Sequence, residues 1–199
     1  MHWKNYLLKL IKEVSGPKMV WGYKSIGGSY KKNVRISNTS FIDHPENLTL
    51  GDNVFIGHYN YLEASSKLVI GEGCQITNFI SITTHSSHIS IRLYGKEYIN
   101  NYNHIGYVKG PIEIGDYCFI GPHSVITPNT SIGKGSIISA YSYVSGKFPD
   151  FSIIRGNPAV VTGDTRELDK KYLENNPELR AYYLQWSELK EVEDTIKSH

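Results

Sequence analysis

Aliphatic residues recur every six positions along most of this chain, and that period restricts what it can fold into. Ile114, Ile120, Ile126, Ile132, Ile138 and Val144 form one unbroken series. Leu50, Ile56 and Leu62, then Ile70, Ile76 and Ile82, form two earlier ones, and Ile36 with Ile42 starts the pattern. Two residues before the anchors of the last series stand Cys118, Ser124, Thr130, Ser136 and Ser142, and Cys74 precedes Ile76 in the same way. Alternate side chains of a strand share a face, so a small residue and a large aliphatic point inward together. Short strands joined by regular turns produce this pattern; amphipathic helices do not. Glycines such as Gly115 and Gly121 directly follow the anchors, where a corner needs close backbone approach. Three six-residue faces close an 18-residue coil, so the chain reads as a stacked parallel β-helix of one long core. Periodicity leaves the handedness open. It gives both cysteines a place as small core residues.

The departures from the period are as informative. Leu50 to Ile70 is a step of 20, which requires a two-residue widening near residues 64–67, and a similar extra pair separates Ile42 from Leu50. From Ile82 to Ile114 the repeat vanishes, leaving an inserted loop over residues 83–113. Loops of that length in a compact domain are functional or disordered. This one carries Tyr94, Tyr98, Tyr102, Tyr107, His85, His88 and His104, and its aromatics argue for an ordered loop that builds a site. The repeat gives way after Val144 at Phe148-Pro149. Residues 166–197 carry a helical pattern, broken at Asn176-Pro177, in which Leu168, Tyr172, Leu179, Trp186, Leu189 and Val192 are available for packing. The expected organisation is a lead-in over 1–33, the β-helix over 34–163 and a helical extension over 164–199 that caps the solenoid. Leu7, Leu8, Leu10 and Ile11 suit one face of a short helix in the lead-in. Such a helix can rest on a membrane surface, but packing on its own domain is the favoured reading.

Composition removes several function classes. The formal net charge is only +2, with 21 basic and 19 acidic residues, so no basic stripe suggests nucleic acid as the partner. No apolar run approaches the roughly 18 residues a membrane span needs. The first residues lack the uninterrupted apolar core and cleavage site of a signal peptide. With two cysteines and no secretion signal, a disulfide framework is not expected, and the expected compartment is the cytosol.

The run from Ile114 through Ile-Gly-Asp-Tyr-Cys-Phe-Ile-Gly-Pro-His-Ser-Val-Ile to Ala140, followed by Gly156-Asn157-Pro158-Ala159, resembles the hexapeptide-repeat acetyltransferases. The resemblance extends over about residues 34–163 and is nearest to galactoside, maltose and xenobiotic acetyltransferases and to O-acetyltransferases of bacterial surface polysaccharides. It implies a left-handed β-helix, a homotrimer, active sites between neighbouring subunits, and acetyl-CoA as donor substrate lying beside the C-terminal coils. It also implies a histidine base on the long loop. Two residues compete for that role, His85 and His88, respectively three and six positions past Ile82, and the relatives' spacing favours His88. The donor-binding stretch of the family falls on Ser139, Ala140, Ser145, Lys147, Arg155, Asn157 and Pro158. Relatives often carry a basic residue after proline-alanine, where this chain has Val160. Acceptor contacts fall on Tyr59, Asn60 and Glu63, with Tyr107 added from the loop; His123 matches a turn residue.

The chemistry fits these residue types. A neutral hydroxyl is a poor nucleophile and must lose its proton as it attacks, a task for histidine near neutral pH. A donor such as a backbone N–H stabilises the oxyanion, and thiolate leaves readily, so neither a metal nor a covalent enzyme intermediate is required. The expected function is therefore O-acetylation of a sugar hydroxyl, in surface polysaccharide modification. Three alternatives remain at this point. One is N-acetylation of an amino sugar. Another is a zinc enzyme of the γ-carbonic anhydrase type, with His123 as a third ligand beside His85 and His88. The last is a trimeric scaffold without catalysis.

Overall fold

A computed structural model describes Trp3, Leu7, Glu13, residues 15–26 and residues 28–187. Strands of two to eight residues stack into three parallel sheets around one core, a left-handed parallel β-helix. The first face stacks Tyr30–Ser37, Phe55–Ile56, Gln75–Ile76, Phe119–Ile120, Ile137–Ile138 and Ser152–Gly156. The second stacks Phe41–Asp43, Tyr61–Glu63, Ser81–Thr83, Val125–Ile126 and Tyr143–Val144. The third stacks Leu48–Leu50, Leu68–Ile70, Ile112–Ile114, Thr130–Ile132 and Lys147–Phe148.

The ladder follows the period. Ile126 pairs with Val144, Ile120 with Ile138 and Ile114 with Ile132, each partner one regular three-face coil further along the chain. Leu62 pairs with Ile82 and Leu50 with Ile70 across the longer step, so the widened coil accommodates its extra pair at the corner between the second and third faces. Ile132 pairs with Phe148, which lies nearer in the chain than a regular coil allows. The last full coil is thus two residues short at Ser145-Gly146, and the helix continues past the point where the six-residue count stops.

Every anchor from Leu50 through Ile82 and from Ile114 to Val144 is buried. Outside the later coils the pairing of small with large holds at Cys74 before Ile76; elsewhere the position two before the anchor is itself large, as Leu48, Val54, Leu68, Ile80 and Ile112, all buried. The later hydroxyls have a specific reason to be inside. Ser124 and Ser142 donate to the Ser139 carbonyl at 3.1 and 2.7 Å, and Ser136 and Ser152 donate to the Pro149 carbonyl at 3.3 and 2.8 Å. Each satisfies a corner carbonyl that the ladder cannot reach. The thiols of Cys74 and Cys118 do the same for Gly115 and Gly133, at 3.0 and 3.1 Å. The neighbouring Cys118 and burial together push the Cys74 thiol well above its ordinary value, which keeps it unreactive.

Both ends of the first face carry an antiparallel strand. Met19–Lys24 pairs with Tyr30–Ser37 at one end, and Ala159–Asp164 with Ser152–Gly156 at the other. The N-terminal hairpin has no counterpart in the six-residue pattern. Most of the amphipathic stretch expected before it, Leu8, Leu10 and Ile11, lies outside the described residues, as do Leu189 and Val192. After the second antiparallel strand come two helices, Thr165–Asn175 and Arg180–Ser187. Asp164 caps the first by accepting from the Arg166 amide at 2.8 Å. Trp186 on the second packs its ring against Tyr117 and Phe151 at 4.7 and 5.8 Å between centroids, covering the corner between third and first faces.

Candidate active site

The inserted loop leaves and re-enters at the corner between second and third faces, directly beside the widened coil. Its root is a two-residue antiparallel ribbon, His85-Ser86 paired with Val108-Lys109. A short helix, Ser90–Tyr94, and a 3-10 turn, Gly95–Asn100, fold the remainder into a lobe. The ribbon fixes His85 against the body of the β-helix.

Glu63, one coil earlier, is what His85 meets. In the ladder Glu63 pairs with Thr83, so Ser65 and the widened corner come to lie beside His85. The carboxylate is 1 % exposed and every direction around it is occupied. Glu63 Oε1 accepts from the Ser65 amide, and Oε2 accepts from the Thr84 amide and hydroxyl at 2.9 and 3.0 Å. His85 Nδ1 stands 2.9 Å from Glu63 Oε2 and 3.1 Å from Ser65 Oγ. Burial opposes ionisation of Glu63, but the hydrogen bonds from Ser65 and Thr84 outweigh it and hold the carboxyl down to about 2. An ionised carboxylate can only accept, so the tautomer with its proton on Nδ1 and a free lone pair on Nε2 is the one that complements this surrounding. The other side of the imidazole is covered by Tyr107, whose ring stacks on it at 5.5 Å and 12°. A buried carboxylate, a half-exposed imidazole and an aromatic face together are an arrangement chemically able to serve as a general base.

Beyond Tyr107 the lobe opens into a cleft of about 730 Å³ lined by Tyr98, Asn101, Tyr102, Asn103, His104 and Ile105. His104 is itself immobilised, stacked on Tyr98 at 3.9 Å with Nε2 at 2.7 Å from the Tyr98 carbonyl oxygen.

The other sequence-selected residues fall out unequally. His88 is exposed; its Nδ1 is 2.8 Å from Ser86 Oγ and its carbonyl accepts from Arg92. Among the described residues no carboxylate lies within ion-pair distance of it, in contrast to His85. Glu63 does not face an acceptor, because its oxygens are spent on Ser65, Thr84 and His85. Asn60 is buried, donates to the Thr77 carbonyl at 2.7 Å and accepts from the Ile80 amide at 2.8 Å, bracing the next coil. Tyr59 is exposed but stands at a different corner, between first and second faces. There Tyr59, Phe79, His123 and Tyr141 stack in a column at 5.2, 4.9 and 4.8 Å. His123 is therefore far from partnering His85. Among the described residues no three His, Cys, Asp or Glu side chains converge as metal ligands.

The donor-binding candidates divide between two corners. Ser139 and Ala140 follow the strand Ile137–Ile138 at the first–second corner, where the Ser139 amide donates to the Ile154 carbonyl at 2.9 Å. Arg155, Asn157 and Pro158 lie beside them on the terminal hairpin, with Arg155 Nε donating to Thr162 Oγ1 at 3.2 Å and Val160 paired opposite Arg155. Ser145 and Lys147 occupy the second–third corner, two coils along from His85. One protomer does not bring the two groups together. Sequence reasoning missed Ser65 and Thr84 altogether, although the step of 20 from Leu62 to Ile82 already sets Ser65 alongside His85.

Comparison with known proteins places this geometry. The family model described as "Bacterial transferase hexapeptide (six repeats)" matches residues 111–146. A Saccharomyces cerevisiae protein named "Putative acetyltransferase YJL218W" is 32 % identical over 144 residues, 71 % of this chain and 68 % of that protein. The Escherichia coli "Putative colanic acid biosynthesis acetyltransferase WcaF" is 28 % identical over 168 residues, covering 84 % of this chain and 78 % of WcaF. A solved galactoside acetyltransferase in complex with coenzyme A superposes with a TM-score of 0.56 at 25 % identity. The match covers 66 % of this chain and 62 % of that one, so this chain spans under two thirds of that structure.

Proposed function

The chain belongs to the hexapeptide-repeat acetyltransferase family, and from that premise we infer that it transfers an acetyl group from acetyl-CoA to a sugar hydroxyl with His85 as general base. The 2.9 Å contact between buried Glu63 and His85 Nδ1 at the root of the inserted loop is the observation that carries this reading.

Acetyl-CoA supplies an electrophilic carbonyl and a thiolate leaving group. His85 Nε2 takes the acceptor's hydroxyl proton as that oxygen attacks the carbonyl. The imidazolium so formed is stabilised by Glu63 across 2.9 Å, and it returns the proton to the departing sulfur. Glu63 stays ionised throughout, since its carboxyl is held near 2. It orients the base and offsets its transient charge and never touches substrate. Tyr107 limits rotation of the ring and forms the near wall of the cleft. That cleft, aromatic and amide-lined, suits a sugar, whose apolar ring faces stack and whose hydroxyls need hydrogen-bond partners. The galactoside and colanic-acid names of the relatives support a sugar acceptor.

The donor-binding residues at two corners support a site shared between copies, since a groove between adjacent subunits can be walled by one corner from each. A homotrimer is the assembly we infer on that basis.

Thermal unfolding with and without acetyl-CoA, followed by CoA-thiol release in the presence of candidate sugars, tests the reading. Ligand at 100 times Kd stabilises the folded state by about 2.7 kcal/mol. A shift with acetyl-CoA and thiol release with a neutral hexose or its glycoside is expected. Release only with an amino sugar would replace the hydroxyl acceptor by an amine. No shift at millimolar acetyl-CoA would defeat the donor assignment.

A further inference from the structure

The weak net charge of the chain conceals a strong segregation. Among positions 1–35 eight are lysine or arginine, including Lys4, Lys9, Lys12, Lys31 and Lys32, while Glu13 alone is acidic. This segment therefore carries a formal +7, and the remainder of the chain carries −5 to give the total of +2. The same segment presents large apolar side chains to solvent. Trp21 is 64 %, Val20 53 %, Tyr30 62 % and Ile26, in the hairpin turn, 74 % exposed. Trp3 and Leu7, before the hairpin, are also exposed.

We propose that this N-terminal end of the solenoid is a docking surface for an anionic lipid bilayer, with Val20, Trp21, Ile26 and Tyr30 entering the headgroup region and the lysines drawn to its negative potential. Tryptophan and tyrosine at the interface, aliphatics just beneath it and lysines facing the headgroups are the side-chain set by which proteins lie on membranes. Several basic residues close to the surface each add attraction that falls off within a Debye length. Two competing occupants fit worse. A second copy of this chain would bring one +7 segment against another. A soluble polyanion would satisfy the lysines but leave Val20 and Ile26 in water. Among the described residues no helix is long and apolar enough to cross a membrane; the contact proposed lies in the interface plane.

The placement has a consequence for access. The hairpin strand Tyr30–Ser37 belongs to the first coil and the loop-bearing strand Ser81–Thr83 to the third. Val20 and Trp21 stand one strand further out, so three ladder steps, about 14 Å along the solenoid axis, separate the docked end from the catalytic coil. An acceptor held at a bilayer by a lipid anchor would then lie near the site without leaving the membrane.

Flotation of the full chain with vesicles tests the proposal directly. Phosphatidylcholine vesicles with and without about a third phosphatidylglycerol are compared at low and high salt. The protein should float with the anionic vesicles and not with the neutral ones, and raising the salt should release it. Lys18→Glu with Lys24→Glu and Lys32→Glu, and separately Val20→Ser with Ile26→Ser, should each reduce the bound fraction at least tenfold. The variants should keep wild-type unfolding temperature, sedimentation and acetyl-CoA shift, which separates this surface from the donor site. Equal binding to both vesicle types, binding to neither, or full binding by both variants would overturn it. So would a variant that dissociates the assembly, which would mark the surface as a contact between copies. Capture by a soluble polyanion such as dextran sulfate without vesicle binding would overturn it as well.

Discussion

Glu63 shows how far one side chain can be read from its neighbours. Its folded carboxyl titrates at about 2, below the ordinary 4.5. Stabilisation from this group is therefore present in full above about 4.5 and is lost as pH falls toward 2, and it amounts to about 3 kcal/mol at neutral pH. Urea unfolding at pH 7 and pH 3 should show the wild type losing on the order of 2 kcal/mol more than Glu63→Gln across that interval. An identical loss in both proteins would remove the carboxylate from the acid response. If His85 is the base as proposed, the same change should lower kcat more than KM, because Glu63 stands against His85; a change confined to KM would point back to acceptor binding. The partnership was within reach of the sequence. The widened coil sets Ser65 level with His85, and Glu63 stands just two positions before Ser65. Only the inward turn of the carboxylate, under the Ser65 and Thr84 amides, is invisible in the letters.

At the scale of strands and coils, the aliphatic anchors are the legible part, because each one repeats the same physical requirement at the same register. Ile126 lies in the middle coils, fully buried between Ile82 and Val144. Truncation to alanine there should cost about 2–5 kcal/mol in urea unfolding, since a stacked coil has little room to collapse into the cavity. A cost below about 1 kcal/mol would mean the core is less tightly packed than the ladder implies. Two features escaped the period. The shortened last coil shifts Phe148 two residues out of phase with Val144, so a count of six ends one strand early. The N-terminal strand Met19–Lys24 sets only Tyr23 against the core and leaves Val20 and Trp21 outside, and so carries no core periodicity to find.

For the molecule as a whole, the division of the proposed donor-binding residues between two corners matters most, because on that proposal the site is completed by a second copy. Sedimentation equilibrium should give three copies of the 22.5 kDa chain. A monomer that still turns over acetyl-CoA would contradict a shared site. Family membership and acetyl transfer were legible in the repeat and in Gly156-Asn157-Pro158-Ala159. Which histidine stands against a buried carboxylate was not, because spacing along the chain does not record it. The most direct test compares the rate of CoA-thiol release, at saturating acetyl-CoA and acceptor, for His85→Ala and His88→Ala. Loss of a general base costs about 10²–10⁴-fold, so His85→Ala should fall by that factor with its acetyl-CoA thermal shift intact, and His88→Ala should stay within a few-fold of wild type. The reverse pattern, a silent His85→Ala and a crippled His88→Ala, would contradict the Glu63–His85 site.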